Sequence, residues 1–288
     1  MKTLKYFVES LIVYTFFLII RLVGLSISRK MFAYVFNKVG PLIKSKEVIY
    51  NNITKILGQQ DDEINKQIIS NMWSNYGKTF AEYIYLGRFK KTNSHINIIG
   101  EKILNEIVQK NKPVIFVSGH FANFELMAME LVKKEIKLAT IYRPLNNFFL
   151  NPFMEKTRRT NICNNQIKKG ISGIRETISY IQSNYSIALM VDQRVTEGAR
   201  LPFFNYAAFT TTLPAQIALR YKYDIVPIYI RRLKNDSFEM EVYEPLEIID
   251  KVESKKNKLE ISLKINKIIE QMVLKDPSQW ILTHNRWK

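Results

Sequence analysis

The sequence predicts a mixed α/β fold with a mostly parallel sheet flanked by helices, preceded by an N-terminal hydrophobic helix and a helical segment. Two observations lead to this prediction. After His95, short apolar runs rich in β-forming residues alternate with helical stretches, which is typical of parallel strands joined by crossover helices. Before His95, apolar residues recur with a helical period instead. A chain of 288 residues with 47% hydrophobic content can bury a sizeable core.

The first 30 residues differ most from the rest in composition. Residues 6–27 are nearly all apolar or aromatic, and Glu9 and Arg21 are their only charges. The uncharged part, residues 10–20, is shorter than the roughly 20 residues that a clean transmembrane helix needs. A spanning helix, an interfacial helix and a buried core helix all stay open, whereas a signal peptide is disfavoured because no small-residue cleavage site follows. We predict a retained membrane-anchoring helix in residues 1–30.

Residues 31–288 are predicted to form one further domain, with a helical part over 31–92 and an α/β core over 93–288. Apolar residues between Asp61 and Arg88 recur close to every 3.6 residues, and Asp61 or Asp62 is the candidate N-cap of that helix. The predicted strands cover 96–99, 114–117, 138–142, 186–191 and 225–230, with a return strand at 238–243. The helices predicted between and after them cover 121–134, 149–160, 171–183, 213–221 and 251–274.

Charge and cysteine content narrow the possible functions. The 43 Lys and Arg against 26 Asp and Glu give a net charge of +17, so the protein should be drawn to polyanions, whether nucleic acid, an anionic membrane, an acidic protein or a phosphorylated substrate. Cys163 is the single cysteine, which excludes an intramolecular disulfide and a Cys-based zinc cluster. The three histidines show no metal-ligand spacing, and we expect no metal.

One histidine stands where chemistry is expected. Ser118-Gly119-His120 follows the apolar run 114–117, at the carboxyl end of a predicted strand, where open α/β sheets bind ligands. On a continuous helix, His120 and Glu125 would point about 140° apart, so they can meet only if His120 lies in a loop and Glu125 in the first turns of the helix. Gly119 would permit the sharp turn. Glu125 would then accept a hydrogen bond from Nδ1 and leave Nε2 as a general base.

Three further polar clusters follow predicted strands or helices at the same sheet edge. They are Tyr142-Arg143-Pro144, Arg158-Arg159 and Asp192-Gln193-Arg194. A serine nucleophile at Ser118 is disfavoured, because the G-x-S-x-G elbow is missing and no second histidine lies nearby in the sequence. The sequence also lacks a P-loop and a G-x-G-x-x-G fingerprint, so it gives no support for nucleotide binding.

Taken in order, these segments resemble the late acyltransferases of lipid A biosynthesis, the lauroyl/myristoyl transferases, within the glycerolipid-type acyltransferases that share an H-x4-D/E motif. The resemblance runs nearly end to end. The matching segments are GHFANFE from Gly119, YRPLNN from Tyr142, TRRTN from Thr157, VDQR from Val191, LPFF from Leu201, TTTLPAQIALR from Thr210, VPIYIRR from Val226 and QWILTHNRWK from Gln279. The last segment carries fewer aromatic and basic residues than is usual in the family, which leaves a role for His284 open.

The resemblance implies a glycerolipid acyltransferase-like fold, with His120 deprotonating an acceptor hydroxyl and Glu125 orienting its ring. It also places Arg158 and Asp192 in the active site. Arg158 would bind a phosphate or the thioester oxygen, with Asp192 holding Arg158 or Arg194; an ordinary surface ion pair is the alternative. Arg143 and Arg194 are further candidates for substrate binding.

The implied reaction transfers a fatty acyl chain, most simply lauroyl, from acyl carrier protein to a hydroxyl of a 3-hydroxyacyl chain on a Kdo-linked lipid A precursor. The pantetheine arm of the carrier makes a separate cofactor unnecessary. The expected partners are the acyl carrier protein thioester, a phosphorylated glycolipid acceptor and inner-membrane lipid, with no nucleic acid, and the catalytic domain would face the cytoplasm. An acyltransferase of another membrane lipid and a non-catalytic basic protein that binds membrane or nucleic acid are the alternatives.

Overall fold

The computed structural model describes residues 2–288. Its helices are α1 (Lys2–Val23), α2 (Leu25–Ile43), α3 (Lys46–Leu57), α4 (Asp62–Glu82), α5 (Leu86–Lys91), α6 (Glu101–Gln109), α7 (Glu125–Lys133), α8 (Asn151–Asn161), α9 (Ile171–Gln182), α10 (Leu213–Tyr221) and α11 (Lys255–Lys275). Its strands are β1 (Ile96–Ile99), β2 (Val114–Ser118), β3 (Leu138–Tyr142), β4 (Gln166–Lys168), β5 (Ser186–Met190), β6 (Ala199–Phe203), β7 (Tyr206–Thr210), β8 (Asp224–Arg232) and β9 (Phe238–Val242). Short 3₁₀ turns occupy Tyr83–Tyr85 and Pro277–Gln279.

Seven strands form the central sheet, in the order β1-β9-β8-β2-β5-β3-β4. Neighbouring strands are parallel except β8 and β9, which pair antiparallel, so β9 is the return strand that the sequence predicts. The mostly parallel α/β fold is thereby confirmed. Strands β2, β5 and β3 end at Ser118, Met190 and Tyr142 on one edge of the sheet, and the polar clusters of the sequence follow there.

Two apolar layers cover the sheet. All five residues of β2 are buried, as expected for a parallel strand with both faces covered. Because side chains alternate along a strand, Ile115 and Val117 belong to the layer that contains α10 and α11, whereas Val114 and Phe116 belong to the layer that contains α7. The apolar run that signals β2 in the sequence therefore forms the centre of the molecule.

The N-terminal region is helical, as predicted, and is packed on the α/β core. Helix α1 is long and apolar enough to cross a membrane, and it ends at Val23, before Gly24 turns the chain with φ 82°. Helix α2 continues through residue 30, so the predicted boundary falls inside a helix. Its backbone at Phe32 lies so close to Gly77 of α4 that a Cβ there would overlap it.

Several parts of the core differ from the sequence prediction. Helix α6 was not predicted, and α11 begins at Lys255 rather than at residue 251. Helix α7 begins at Glu125 rather than at residue 121, because the preceding residues form a loop. Strand β4 has three residues, too few to show a period. The hairpin β6–β7 was missed because Pro202 reads against a strand, although an edge strand tolerates it. Its turn places Phe204 and Asn205 at φ 51° and 62°.

Candidate active site

The loop 119–124 connects β2 to α7 and carries His120. Gly119 is required there by space, because a Cβ would overlap the Phe121 ring and come within 3.2 Å of Asp192 Oδ2. The structure has His120 in this loop and Glu125 as the first residue of α7, which confirms the predicted placement of both.

The strained residue of this loop is Ala122, with φ 43° in the left-handed region that non-glycine residues rarely adopt. Its N–H donates to the Gln279 carbonyl at 2.9 Å, and its own carbonyl accepts from Thr79 Oγ1 at 3.2 Å. The loop conformation is thus imposed from two distant segments, α4 and the C-terminal end of the chain.

His120 and Asp192 form the closest contact of the site. His120 Nδ1 lies 2.8 Å from Asp192 Oδ1, and the His120 backbone N–H donates to Asp192 Oδ2 at 2.8 Å. Asp192 is buried, whereas the His120 side chain is 20% exposed. The carboxylate fixes both ring and backbone, and because it occupies Nδ1, Nε2 is the ring nitrogen available for proton exchange.

Asp192 receives a third donor from the C-terminal segment. The indole N–H of Trp280 donates to Asp192 Oδ2 at 2.8 Å, and Trp280 is fully buried. Burial alone would raise the pKa of Asp192, but the charge of His120 and the hydrogen bonds from His120 and Trp280 outweigh it, and the pKa is lowered. The carboxylate therefore stays ionised behind the histidine.

Glu125 has different partners. Its Oε1 accepts from Arg158 Nε at 2.9 Å, from Arg158 Nη2 at 2.6 Å and from the Tyr83 hydroxyl at 3.0 Å. Burial raises the pKa of Tyr83, so the phenol stays protonated and donates. Burial alone would lower the pKa of Arg158, but Glu125 raises it, so the guanidinium stays charged. Glu125 holds Arg158 in place.

The predicted hydrogen bond between His120 Nδ1 and Glu125 is therefore wrong. Asp192, which follows β5, reaches the ring because β5 is the direct neighbour of β2 in the sheet. The expectation that Asp192 holds Arg158 or Arg194 is wrong for the same reason, since its oxygens accept from His120 and Trp280. The two acidic residues exchange the roles that sequence spacing assigned to them.

A family comparison covers the same residues. The model for bacterial lipid A biosynthesis acyltransferases matches residues 1–288, the whole chain. The chain belongs to this family. A search of the curated proteins returned no match. As a lipid A acyltransferase, the protein transfers an acyl group in lipid A synthesis, and the resemblance in its ordered motifs is confirmed.

Two arginines predicted to bind substrate in this acyltransferase lie outside the His120–Asp192 contact. Arg143 is exposed directly after β3. Arg194 donates its backbone N–H to His284 Nε2 at 3.0 Å and its guanidinium to the Lys288 carbonyl at 3.2 Å. His284 thus anchors the turn after Asp192.

A buried ionic cluster contacts the loop 119–124. Glu82 is fully buried and accepts from Arg29 Nε at 2.7 Å and from both terminal nitrogens of Arg232. Its Oε2 also accepts from Asn123 Nδ2 at 2.9 Å. Asn123 lies three residues after His120, so α2, α4 and β8 all meet at this loop.

Trp280, Tyr83 and Glu82 are the site residues that sequence reasoning missed. Trp280 belongs to the closing QWILTHNRWK segment, whose match to the family was the available signal. Tyr83 and Glu82 lie in a helical region without a motif.

Within residues 2–288, no group of three His, Cys, Asp or Glu side chains is arranged to hold a metal ion. A groove of about 750 Å³ between α9, α10 and α11 is a separate feature.

Proposed function

We propose that the protein transfers a fatty acyl chain, lauroyl in the simplest case, from acyl carrier protein to a hydroxyl of a 3-hydroxyacyl chain on a Kdo-linked lipid A precursor. Membership of the family supports an acyl transfer in lipid A synthesis. The observation that carries the proposal is the 2.8 Å contact between His120 Nδ1 and Asp192, at the sheet edge where ligands bind. The carrier's pantetheine arm supplies the thioester, so no further cofactor is needed.

In this mechanism His120 Nε2 removes the proton from the acceptor hydroxyl as its oxygen attacks the thioester carbonyl carbon. Asp192 holds the ring and stabilises the imidazolium that forms. When the tetrahedral intermediate collapses, the C–S bond breaks, and the imidazolium returns the proton to the leaving thiolate. The histidine ends the cycle neutral, and the ester and the free carrier thiol are the products.

Arg158 is the proposed group for binding an acceptor phosphate or the thioester oxygen. Two of its nitrogens are committed to Glu125, and this bond fixes the guanidinium plane. Its side chain is 14% exposed, so it is not fully enclosed by the protein. The high net charge of +17 favours both an acidic carrier protein and an anionic leaflet, which supports an inner-membrane enzyme with a cytoplasmic active site. Arg143 and Arg194 stay candidates for outer contacts with the acceptor.

The test is acyl transfer with purified protein, lauroyl-acyl carrier protein and the Kdo-bearing precursor, followed by mass spectrometry of the lipid. We expect a product heavier by one acyl group, and we expect His120→Ala to lose about 10²–10⁴-fold in kcat. His95→Gln is the control, since His95 contacts Phe89 and Glu130 rather than Asp192 or Glu125. Full activity of His120→Ala would contradict the mechanism. Transfer to a different lipid would favour an acyltransferase of another membrane lipid. No transfer with any thioester would favour a non-catalytic basic protein that binds membrane or nucleic acid.

A further inference from the structure

Helix α1 has two faces with different surroundings. One face carries Ser10, Phe17 and Ile20, which are buried, and Phe17 stacks on Phe80 at 5.3 Å between ring centroids. The opposite face carries apolar side chains at helical spacing that are 46–76% exposed: Leu4, Val8, Leu11, Leu18 and Leu22. One face of α1 therefore packs against the protein and the opposite face is exposed, although both faces carry apolar side chains.

The inner face is bound to the protein along nearly its whole length. Near the start, the Tyr6 carbonyl accepts from Asn147 Nδ2 at 2.9 Å, and near the end, the Ile20 carbonyl accepts from the Tyr85 hydroxyl at 2.9 Å. In between, the Tyr14 hydroxyl donates to the Phe149 carbonyl at 3.0 Å. At about 1.5 Å per residue, these contacts cover roughly 21 Å of a hydrocarbon core that is about 30 Å thick.

These contacts disagree with a helix that crosses the bilayer. If α1 spanned, the segment 147–149 would be carried into the hydrocarbon with it. That segment is irregular backbone in which Asn147 is buried and Phe148 is exposed, and lipid does not satisfy the polar groups of such backbone. A helix bound to its own domain over two thirds of the bilayer thickness can instead lie along the surface of one leaflet.

Charge around α1 matches an anionic leaflet. Residues 1–46 contain eight basic residues and one acidic residue, Glu9, which is half-buried and accepts from Asn147 at 3.3 Å. Seven of the eight basic residues are exposed: Lys2, Lys5, Arg21, Lys30, Lys38, Lys44 and Lys46. The apolar stripe and the exposed basic residues together have the composition of a helix that lies at the interface of an anionic membrane.

We propose that α1 lies in the plane of one anionic leaflet, with the Leu4–Leu22 stripe in the acyl region and the basic residues at the headgroups. Only the choice of the cytoplasmic leaflet rests on the proposed function; the in-plane orientation of α1 does not. The exposed Phe148, in the segment before α8, packs on Tyr6 of α1 at 5.9 Å between ring centroids. Helix α8, which follows this segment, carries Arg158.

Cysteine labelling tests the placement of both helix ends. Cys163 is the single cysteine and is buried, so Cys163→Ala serves as the background for two exposed positions: Thr3→Cys at the start of α1 and Ser26→Cys in the first turn of α2, just after α1 ends. Ser179→Cys on α9 is the control. We expect a membrane-impermeant maleimide to label all three in inverted inner-membrane vesicles and none in intact spheroplasts. Labelling of Thr3→Cys from the outside, with Ser26→Cys labelled from the inside, would overturn the proposal in favour of a spanning helix.

Vesicle flotation tests the stripe itself. Leu11→Lys and Leu18→Lys should each lower binding to phosphatidylglycerol-containing vesicles by about tenfold or more, because each replaces a leucine that would insert into the acyl region with a charge. Ile174→Lys is the matched control, since Ile174 is 56% exposed on α9. Unchanged binding of both stripe variants would contradict the proposal. Acyl transfer to detergent-dispersed acceptor should persist in these variants, so a failure here is distinct from a failure of the proposed reaction.

Discussion

Asp192 contacts His120 through both of its oxygens, and each oxygen needs a donor opposite it. Oδ1 faces His120 Nδ1, whereas Oδ2 faces the His120 backbone N–H and the Trp280 indole N–H. An aspartate accepts from all three donors. An asparagine with its carbonyl oxygen at the Oδ2 position would donate its NH₂ group to Nδ1, which moves the ring proton to Nε2 and removes the base; the opposite orientation would place the NH₂ group against the two N–H donors at Oδ2.

Asp192→Asn should therefore lower kcat strongly, by about 10²–10⁴-fold, because the ring loses its tautomer and its orientation. Glu125→Gln is the comparison: it loosens Arg158 and should raise KM with a smaller loss of kcat. Steady-state kinetics of both variants decide the matter. A larger loss of kcat in Glu125→Gln than in Asp192→Asn would restore Glu125 as the orienting residue.

At the scale of elements, the loop 119–124 is held by parts of the chain far apart in sequence. Asn123 is 1% exposed and donates to Glu82, which is itself shared by α2 and β8. Ala122 keeps its left-handed backbone because bonds on both sides impose it. The position of His120 thus depends on the packing of helices that carry no chemistry.

Asn123→Ala should cost about 1.5–3 kcal/mol of unfolding free energy, the value of a hydrogen bond to a charged group, and up to about 10²-fold in kcat as the loop relaxes. Asn257→Ala is the matched control, since Asn257 is also buried and donates to a carboxylate, Asp250, at the start of α11. It should lose similar stability and keep its kcat. Denaturant unfolding and kinetics on both variants test this, and equal kcat values would contradict a positioning role for Asn123.

How well the sequence predicts an element depends on the range of the interactions that form it. Strands β1 and β3 and helix α10 were predicted to the residue, because period and turn signals are local. The partner of His120 was assigned to Glu125 because sequence spacing shows only neighbours along the chain. Asp192 follows a strand 72 residues away, and only the strand order β2-β5 brings it to the ring. Long-range pairing of this kind leaves no periodic signal.

At the scale of the whole molecule, the last ten residues bond to α3, to the hairpin β6–β7 and to Asp192. The Leu282 and His284 carbonyls accept from Asn52 of α3, at 2.8 and 2.9 Å. Trp287 donates to the Phe203 carbonyl at 2.9 Å, which fixes the hairpin β6–β7. Together with Trp280 behind Asp192, this segment couples the stability of the fold to the active site.

His284, at the centre of this segment, makes folding dependent on pH. Burial lowers its pKa from 6.5 to about 4; Asp192 opposes that shift, and His120, Arg286 and Arg194 add to it. Between pH 6.5 and 4 the unfolded chain therefore binds a proton that the folded chain does not, so stability falls as pH falls through this window. Because His284 is only partly buried, we expect about 1–2 kcal/mol. Urea unfolding at pH 7.5 and pH 5 measures it. His284→Gln can still accept from Arg194, and its free energy of unfolding should fall by that much less between the two pH values. Equal falls in both proteins would show that His284 is not the titrating group.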